Sequence, residues 1–516
     1  MKLLARDTGG LVPAFAFGVI ALLAIAQRHF VAANADVAAL LTIAEKMLDG
    51  QRLYVDVVEP NSAFSVWLNL PAILLARLLA VRAETALDAM ILLLAAASIW
   101  FAHRLLSASY IGAQRVWLPV ATFAVLALLP GMTFAEREHI ALILFVPVLA
   151  LAVRRAAGGF VSFDNAMIAG VCGGIALCVK PHFALALAGA VLASAVAQRT
   201  WRLFFTPEHW IAGGLFCAFL GSSFWLYPAY WSDIIPLVQL VYLPVRAPVM
   251  KMLNGGMPFL ILELLVIAFL VTAWRINALR GPRVSVMLFS IVGFIAAALI
   301  QGKGWLYHFL PAFGLIVILL TGVGLARLAD AAAMRLPISF RALASAGLLS
   351  LQFWLWFNSS IDMSVIEAPL RAIKQNPRVI ALVSDFAVAF PAVRNVDGVS
   401  LGHSLSRWVP YNAAGIAAQD NFDRSLLPAL RQADESDRRQ LVADIVKGRP
   451  DVLLVERLPF DFLEWARRDR ELAGLMTCFR AIQSVRVGRG VTNGEGFDIE
   501  FYAAEGRTPS VGGCAP

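Results

Sequence analysis

Residues 64–81 read FSVWLNLPAILLARLLAV. The stretch is apolar and just long enough for a membrane helix, which takes about 17–25 residues. It also holds Asn69, Pro71 and Arg77. Whether it crosses decides the side on which every later loop falls. Basic residues answer the question, because Lys and Arg are retained on the cytoplasmic face. If 64–81 lies flat at the interface, then Lys2/Arg6, Arg104/Arg115, Arg154/Arg155, Arg199/Arg202, Arg275/Arg280/Arg283 and Arg327/Arg335/Arg341 all share one side. If it crosses, every later loop flips and the pattern is lost. The segment is therefore read as interfacial.

The other apolar runs sit near 10–27, 86–106, 116–132, 139–154, 166–197, 210–228, 257–274, 284–300, 306–326 and 341–358. Run 166–197 is too long for one span. Lys180-Pro181-His182 breaks it into two, since proline removes a backbone donor and clashes with the previous turn. About eleven spans are predicted, with the N-terminus inside and the chain after the last span outside. Lys2 and Arg6 ahead of Leu11 to Ala26 have the pattern of a signal peptide, but the run serves as an uncleaved first helix.

Composition agrees. Of 516 residues, 59% are hydrophobic and 15% charged, against about 25% charged in soluble domains. Mean hydropathy is +0.73. A soluble globule could not hide so much apolar surface. A soluble enzyme, a disordered protein and a disulfide scaffold are excluded. The net charge of +8 is read as cytoplasmic Lys and Arg, and no nucleic-acid partner is expected. From Arg371 the chain carries charge runs such as Asp434 to Arg439. The expected organisation is a membrane domain, 1–360, and an outer α/β domain, 361–516. Cys172, Cys178 and Cys217 lie in apolar runs, while Cys478 and Cys514 can pair if their region is exported.

The outer loops gather the ionisable residues. The first opens at Asn34-Ala35-Asp36. Val37, Leu40, Leu41, Ala44, Met47 and Leu48 then repeat at helical spacing. Asn34 suits an N-cap and Asp49-Gly50 a terminating turn. Two acids stand out there, Asp36 and Glu59. The second loop holds Glu136-Arg137-Glu138-His139, four ionisable groups in a row at a membrane border. Lys180 and His182 mark the third. Gln301-Gly302-Lys303-Gly304 and His308 mark the fourth. Carboxylates can activate a hydroxyl or hold a hard cation. Lys, Arg and His can neutralise a phosphate.

These stretches resemble the GT-C superfamily of integral-membrane glycosyltransferases, with its aminoarabinose transferases, protein O-mannosyltransferases and arabinosyltransferases. The segment DGQRLYVDVVEPNSAFSVWL, behind Asp36, looks like the family's acidic first loop, with Glu-Pro-Asn where Lys-Pro-Pro is usual. Arg137-Glu138-His139 is similar to its Arg-x-Asp, with His in the acid's place. GKGWLYHFLPAF is similar to its basic-Tyr-Leu-Leu-Pro segment. The resemblance implies a GT-C-like polytopic α-helical fold with interfacial helices in the first outer loop. It implies a polyprenyl-phosphate-linked sugar as donor and a cell-envelope lipid, glycan or protein as acceptor. It implies inversion at the anomeric carbon, at the periplasmic face of a bacterial inner membrane. Asp36 becomes the general base and Glu59 a second catalytic acid. Arg137, Lys180, Lys303 and His308 become the donor-phosphate set. Glu59, Glu138 and His139 become candidate ligands for a divalent cation, the one cofactor considered.

In the tail, 379–384, 451–456 and 497–502 read as strands, and 425–447 and 461–476 as helices. Ser406-Arg407-Trp408 is either a sugar-stacking loop or an ordinary anchor. GxGxxG is absent, which argues against a dinucleotide. Two rivals stay open: a transporter or flippase, and a non-catalytic scaffold for envelope polysaccharide assembly.

Overall fold

The computed structural model describes residues 11–31, 33–248, 252, 281–327, 338–357, 362–420, 422–488, 496–506, 508–510 and 513–515. Helices occupy ten of the eleven expected spans: Leu11–Phe30, Ala83–Leu106, Gln114–Ala127, Arg137–Ala156, Phe163–Val179, Ala184–Gln198, Pro207–Leu226, Pro282–Gln301, Leu310–Arg327 and Ile338–Phe357. The span near 257–274 lies outside the described residues. Seven of the described helical segments are long and apolar enough to cross a membrane. Run 166–197 breaks where proline required it, with Lys180 extended between two helices.

The chain forms two compact units. The first comprises Met1–Ala32, Thr85–Ser222 and Ala247–Ser359, and the second Ala33–Glu84, Ser223–Arg246 and Ser360–Pro516. The second unit is therefore larger than the tail that composition marks, because two earlier stretches fold with it.

Within the first unit, contacts sort the helix ends into two sets. Arg28 donates to Gly131 O at 2.7 Å, and Lys180 reaches Glu138 and Gln301. At the other set of ends, Arg155 pairs with Glu208 at 3.0 Å and Gln198 donates to Ala156 O at 2.8 Å. There too, Gln114 donates to Gly322 O and accepts from Arg283, which also reaches Ser109. Helix Ala83–Leu106, about 36 Å long at 1.5 Å per residue, ends in this second set. It must start in the first, where Leu11–Phe30 ends. Segment 64–81 is not one continuous helix. It folds as two short helices, Ala63–Trp67 and Leu70–Leu79, broken near Asn69.

Helix Arg137–Ala156 is central and buried along nearly its whole length, whereas Leu11–Phe30 buries only Ala24. Helices Ala184–Gln198 and Pro282–Gln301 cross at Gly189 and Gly293. A Cβ at either would run into the facing backbone at Phe289 or Leu185. Small residues allow such approach where lipid gives no hydrophobic drive for association.

In the second unit the tail builds a five-stranded sheet of order β2-β1-β3-β5-β4. Strands β1 (Arg378–Leu382), β2 (Val399–Ser400) and β3 (Val452–Leu458) run parallel, while β5 (Phe497–Ala504) and β4 (Phe479–Val487) are antiparallel. Val452 to Val455 are fully buried, as a strand covered on both faces must be. Helices Leu427–Gly448, Phe462–Arg467 and Arg470–Met476 pack Leu441, Ile445, Phe462 and Leu472 against it. The single helix expected over 461–476 is two, because Asp469 caps the second with its side chain. Cys478 and Cys514 form a disulfide.

Helix Ala35–Leu48 belongs to this second unit and carries the expected caps. Asn34 accepts from the Asp36 N–H at 2.8 Å, and Gly50 takes φ 93° past the C-terminus. Its polar positions meet the tail. Arg394 holds Glu45 through a bidentate pair at 2.6 and 2.9 Å, Glu84 at 2.6 Å and the Thr42 hydroxyl at 3.1 Å. Lys46, buried, donates to Gly402 O, and the Val58 N–H donates to His403 O at 2.8 Å.

Candidate active site

Four helix ends build a charged cluster in the first unit. Glu138 lies in the first turn of Arg137–Ala156 and is fully buried. Lys180 sits at the proline break and donates to Glu138 Oε1 at 2.5 Å and to Gln301 Oε1 at 2.8 Å. Gln301 ends helix Pro282–Gln301. The turn beyond needs two left-handed residues, Gly302 at φ 65° and Gly304 at φ 69°, which carry Lys303 between them. His308 follows in a short 3-10 turn, with Nε2 3.6 Å from Glu138 Oε1. Lys180, Arg137, His182 and Lys303 all lie within electrostatic reach of the His308 ring. Lys180 Nζ also stands 5.9 Å from the centre of the Tyr307 ring. The structure thus places Lys180 and His308 against the Glu138 carboxylate, with Arg137 and Lys303 within electrostatic reach of His308.

The other two acids belong to the second unit. Asp36 is half-buried in the first turn of helix Ala35–Leu48. Glu59 is buried, and its Oε1 accepts from the Asn61 N–H at 2.8 Å and from the Asn61 side chain at 2.5 Å. Its neighbours are aromatic. Tyr54 packs on Tyr230 at 4.7 Å and on Tyr227 at 5.5 Å, and Trp67 donates to the Tyr227 hydroxyl at 2.9 Å. Burial, with Tyr230 and Glu59 nearby, pushes the Tyr54 phenol above its ordinary range, so it stays a donor, here to Asn61 O at 2.7 Å. Tyr54 takes φ 70°, an uncommon conformation for a bulky residue.

A resident divalent cation requires several converging ligands. Among the described residues no three His, Cys, Asp or Glu side chains gather. Glu138 is neutralised by Lys180. His139 is a structural residue: its Nε2–H donates to Leu126 O at 2.7 Å and its Nδ1 accepts from the Ala135 N–H at 3.0 Å. With both nitrogens engaged by backbone, it anchors the helix entry rather than offering a lone pair. The described residues do not fit a cation held by Glu59, Glu138 and His139.

In Ser406-Arg407-Trp408 the central residue is an anchor. Arg407 is fully buried, with Asp437, Asp444 and Ser404 O around it, and Trp408 packs edge-on against Tyr242. Sequence reading assigned no role to Gln301, which shares Lys180 with Glu138. A lone amide closing an apolar helix ahead of a Gly-Lys-Gly turn was the available signal.

No family model and no curated protein matches the chain. The solved structures similar to it include two glycosyltransferase chains. One is ArnT from Cupriavidus metallidurans bound to undecaprenyl phosphate, at 11% identity over 96% of this chain and 98% of that one, with a TM-score of 0.45. The other is the arabinofuranosyltransferase AftD from Mycobacteria, at 14% identity over 95% of this chain, with a TM-score of 0.44. The chain spans 40% of the AftD chain.

Proposed function

We propose that the protein is an inverting glycosyltransferase of the GT-C type, which moves a sugar from a polyprenyl-phosphate donor to a cell-envelope lipid, glycan or protein. The observation that carries this reading is the cluster of buried Arg137, Lys180 and His308 with half-buried Lys303, where apolar helices end. Buried charge at membrane depth is costly and marks function. The asymmetry suits a phosphate more than a metal.

In this reading Asp36 takes the proton from an acceptor hydroxyl. The acceptor oxygen attacks the anomeric carbon from the face opposite the phosphate, and the carbon–oxygen bond to the phosphate breaks. The electron pair leaves with polyprenyl phosphate, and Lys180 with its cationic neighbours stabilises that charge as it grows. Glu59 shapes the sugar site. The loops that carry these groups are those that charge counting puts outside, which supports a cytoplasmic N-terminus and a periplasmic second unit in a bacterial inner membrane. The Cys478–Cys514 disulfide fits an oxidising compartment. The test is Asp36→Asn at unchanged protein level in a deletion strain, with cell-surface glycolipids read by mass spectrometry. Loss of one sugar from the surface is expected. A product still made at wild-type level refutes the reading and leaves the transporter or scaffold.

A further inference from the structure

We infer that the C-terminal α/β domain is a positioning element for the first outer loop, with Arg394 as the residue through which it acts. The inference rests on the proposed role of Asp36 only for its effect on product.

Three observations carry it. Asp36 and Glu59 bracket a single helix, Ala35–Leu48, and the turn after it. That helix is fastened to the tail at two successive polar positions, Glu45 and Lys46, and its neighbouring chain at Glu84 and Val58. Arg394 gathers Thr42, Glu45 and Glu84 onto one guanidinium, largely out of water. A planar fork that bridges two carboxylates fixes direction as well as distance, and a lysine cannot reproduce it. Buried polar contacts of this kind specify one arrangement where apolar packing would accept several. The segment Ala392–Asn395 that presents Arg394 is itself held, since Arg371 and Arg82 donate to the Asn395 and Arg394 carbonyls. Arg394 touches neither acid, so it works through the helix. The tail is therefore part of the machinery that places the base, and not an appended recognition module.

The experiment is hydrogen–deuterium exchange on the full-length protein in nanodiscs, paired with surface glycolipid analysis. In Arg394→Ala, amides of 35–48 should exchange about tenfold faster, while those of β3 keep their wild-type rates. Surface product should fall about 100-fold, the scale of an ångström of misplacement. Arg394→Lys keeps the charge without the fork, so it should leave exchange over 35–48 faster and product at least about tenfold below wild type, and full rescue by Lys would overturn the role of the fork. If Arg394→Ala does not accumulate, Thr42→Val with Glu84→Gln strips two of the partners and should shift both readouts in the same direction by less. Unchanged exchange over 35–48 overturns the inference. So does faster exchange with product unaltered, and so does equal acceleration in β3, which would mean general unfolding. An inert Asp36→Asn would sink the transferase reading while the exchange result still decided whether Arg394 holds the helix.

Discussion

Removing Lys180 separates a structural ion pair from a phosphate-binding cation. Lys180→Met strands Glu138, which is fully buried. Its Oε1 would keep only His308 at 3.6 Å, and its Oε2 accepts no hydrogen bond among the described residues. Stranding one partner of a buried pair costs about 3–5 kcal/mol. The unfolding midpoint should drop by roughly 5 °C, since a kilocalorie moves a mid-sized domain by about 2–4 °C and a larger chain by less. Lys180→Met combined with Glu138→Gln removes both charges and leaves a neutral amide, whose imperfect pairing costs about 1–2 kcal/mol. Most of the lost stability should return. Product should not. A cation facing developing phosphate charge supplies about 3–4 kcal/mol to the transition state, or 100- to 1,000-fold in rate. Purified variants would be followed by tryptophan fluorescence on heating, and the same alleles by surface glycolipid analysis in the deletion strain. If the double variant regains product along with stability, Lys180 is a structural partner of Glu138 and the phosphate assignment fails.

Glu456 predicts a pH dependence in the tail. It is fully buried and accepts from the Ser384 N–H at 2.8 Å, and burial pushes its carboxyl up to about 7 despite these donors and that of Phe460. A raised carboxyl stabilises the fold below the unfolded value near 4.5, and that contribution is lost as pH climbs toward 7. The loss is about 3 kcal/mol. Glu456→Gln should therefore unfold at a higher temperature than wild type at pH 8 and near the same temperature at pH 4.5; a constant difference at both values excludes the assignment. For orientation, in a background lacking Cys172, Cys178 and Cys217, Gln51→Cys should react with an impermeant thiol reagent in intact cells and Ala108→Cys should not. The opposite pattern inverts the proposed topology.

The apolar runs were legible because a bilayer imposes one length and one composition on each span. The choice at 64–81 rests on the basic residues of the N-terminus and five loops, which share one side only if it does not cross. Strand β4 was not read, since an edge strand exposes Ile482 along with Arg480 and lacks a buried run. The extent of the second unit was also hidden. Glu45 and Arg394 are 349 residues apart, and no local pattern names that partner. His139 misled for a different reason. Beside a carboxylate it has the look of a ligand, and only its two backbone hydrogen bonds reveal that the ring is already used.

Arg137, Lys180 and Lys303 lie with the helix ends opposite the Arg-rich loops, and their environment tells them from ordinary anchors. An interfacial Lys or Arg extends its head into water and buries only its stem. Arg137 and Lys180 do the reverse, with their charged ends enclosed among helix termini beside Glu138. A buried pair gives little net stability over apolar residues of the same volume. A third cation at Lys303 and the ring of His308 beside it make the arrangement more expensive as architecture. The same arrangement is favourable if an anion arrives during turnover. Glu138 then has a role that a plain phosphate cradle would lack: it holds Lys180 in place between visits. A phosphate that competes for Lys180 must displace that carboxylate. For this reason Glu138→Gln, with Lys180 intact, should tighten donor binding while slowing release of the polyprenyl phosphate product. Donor-lipid titration and single-turnover kinetics on one preparation measure both quantities, and a weaker donor affinity in that variant would contradict the competition.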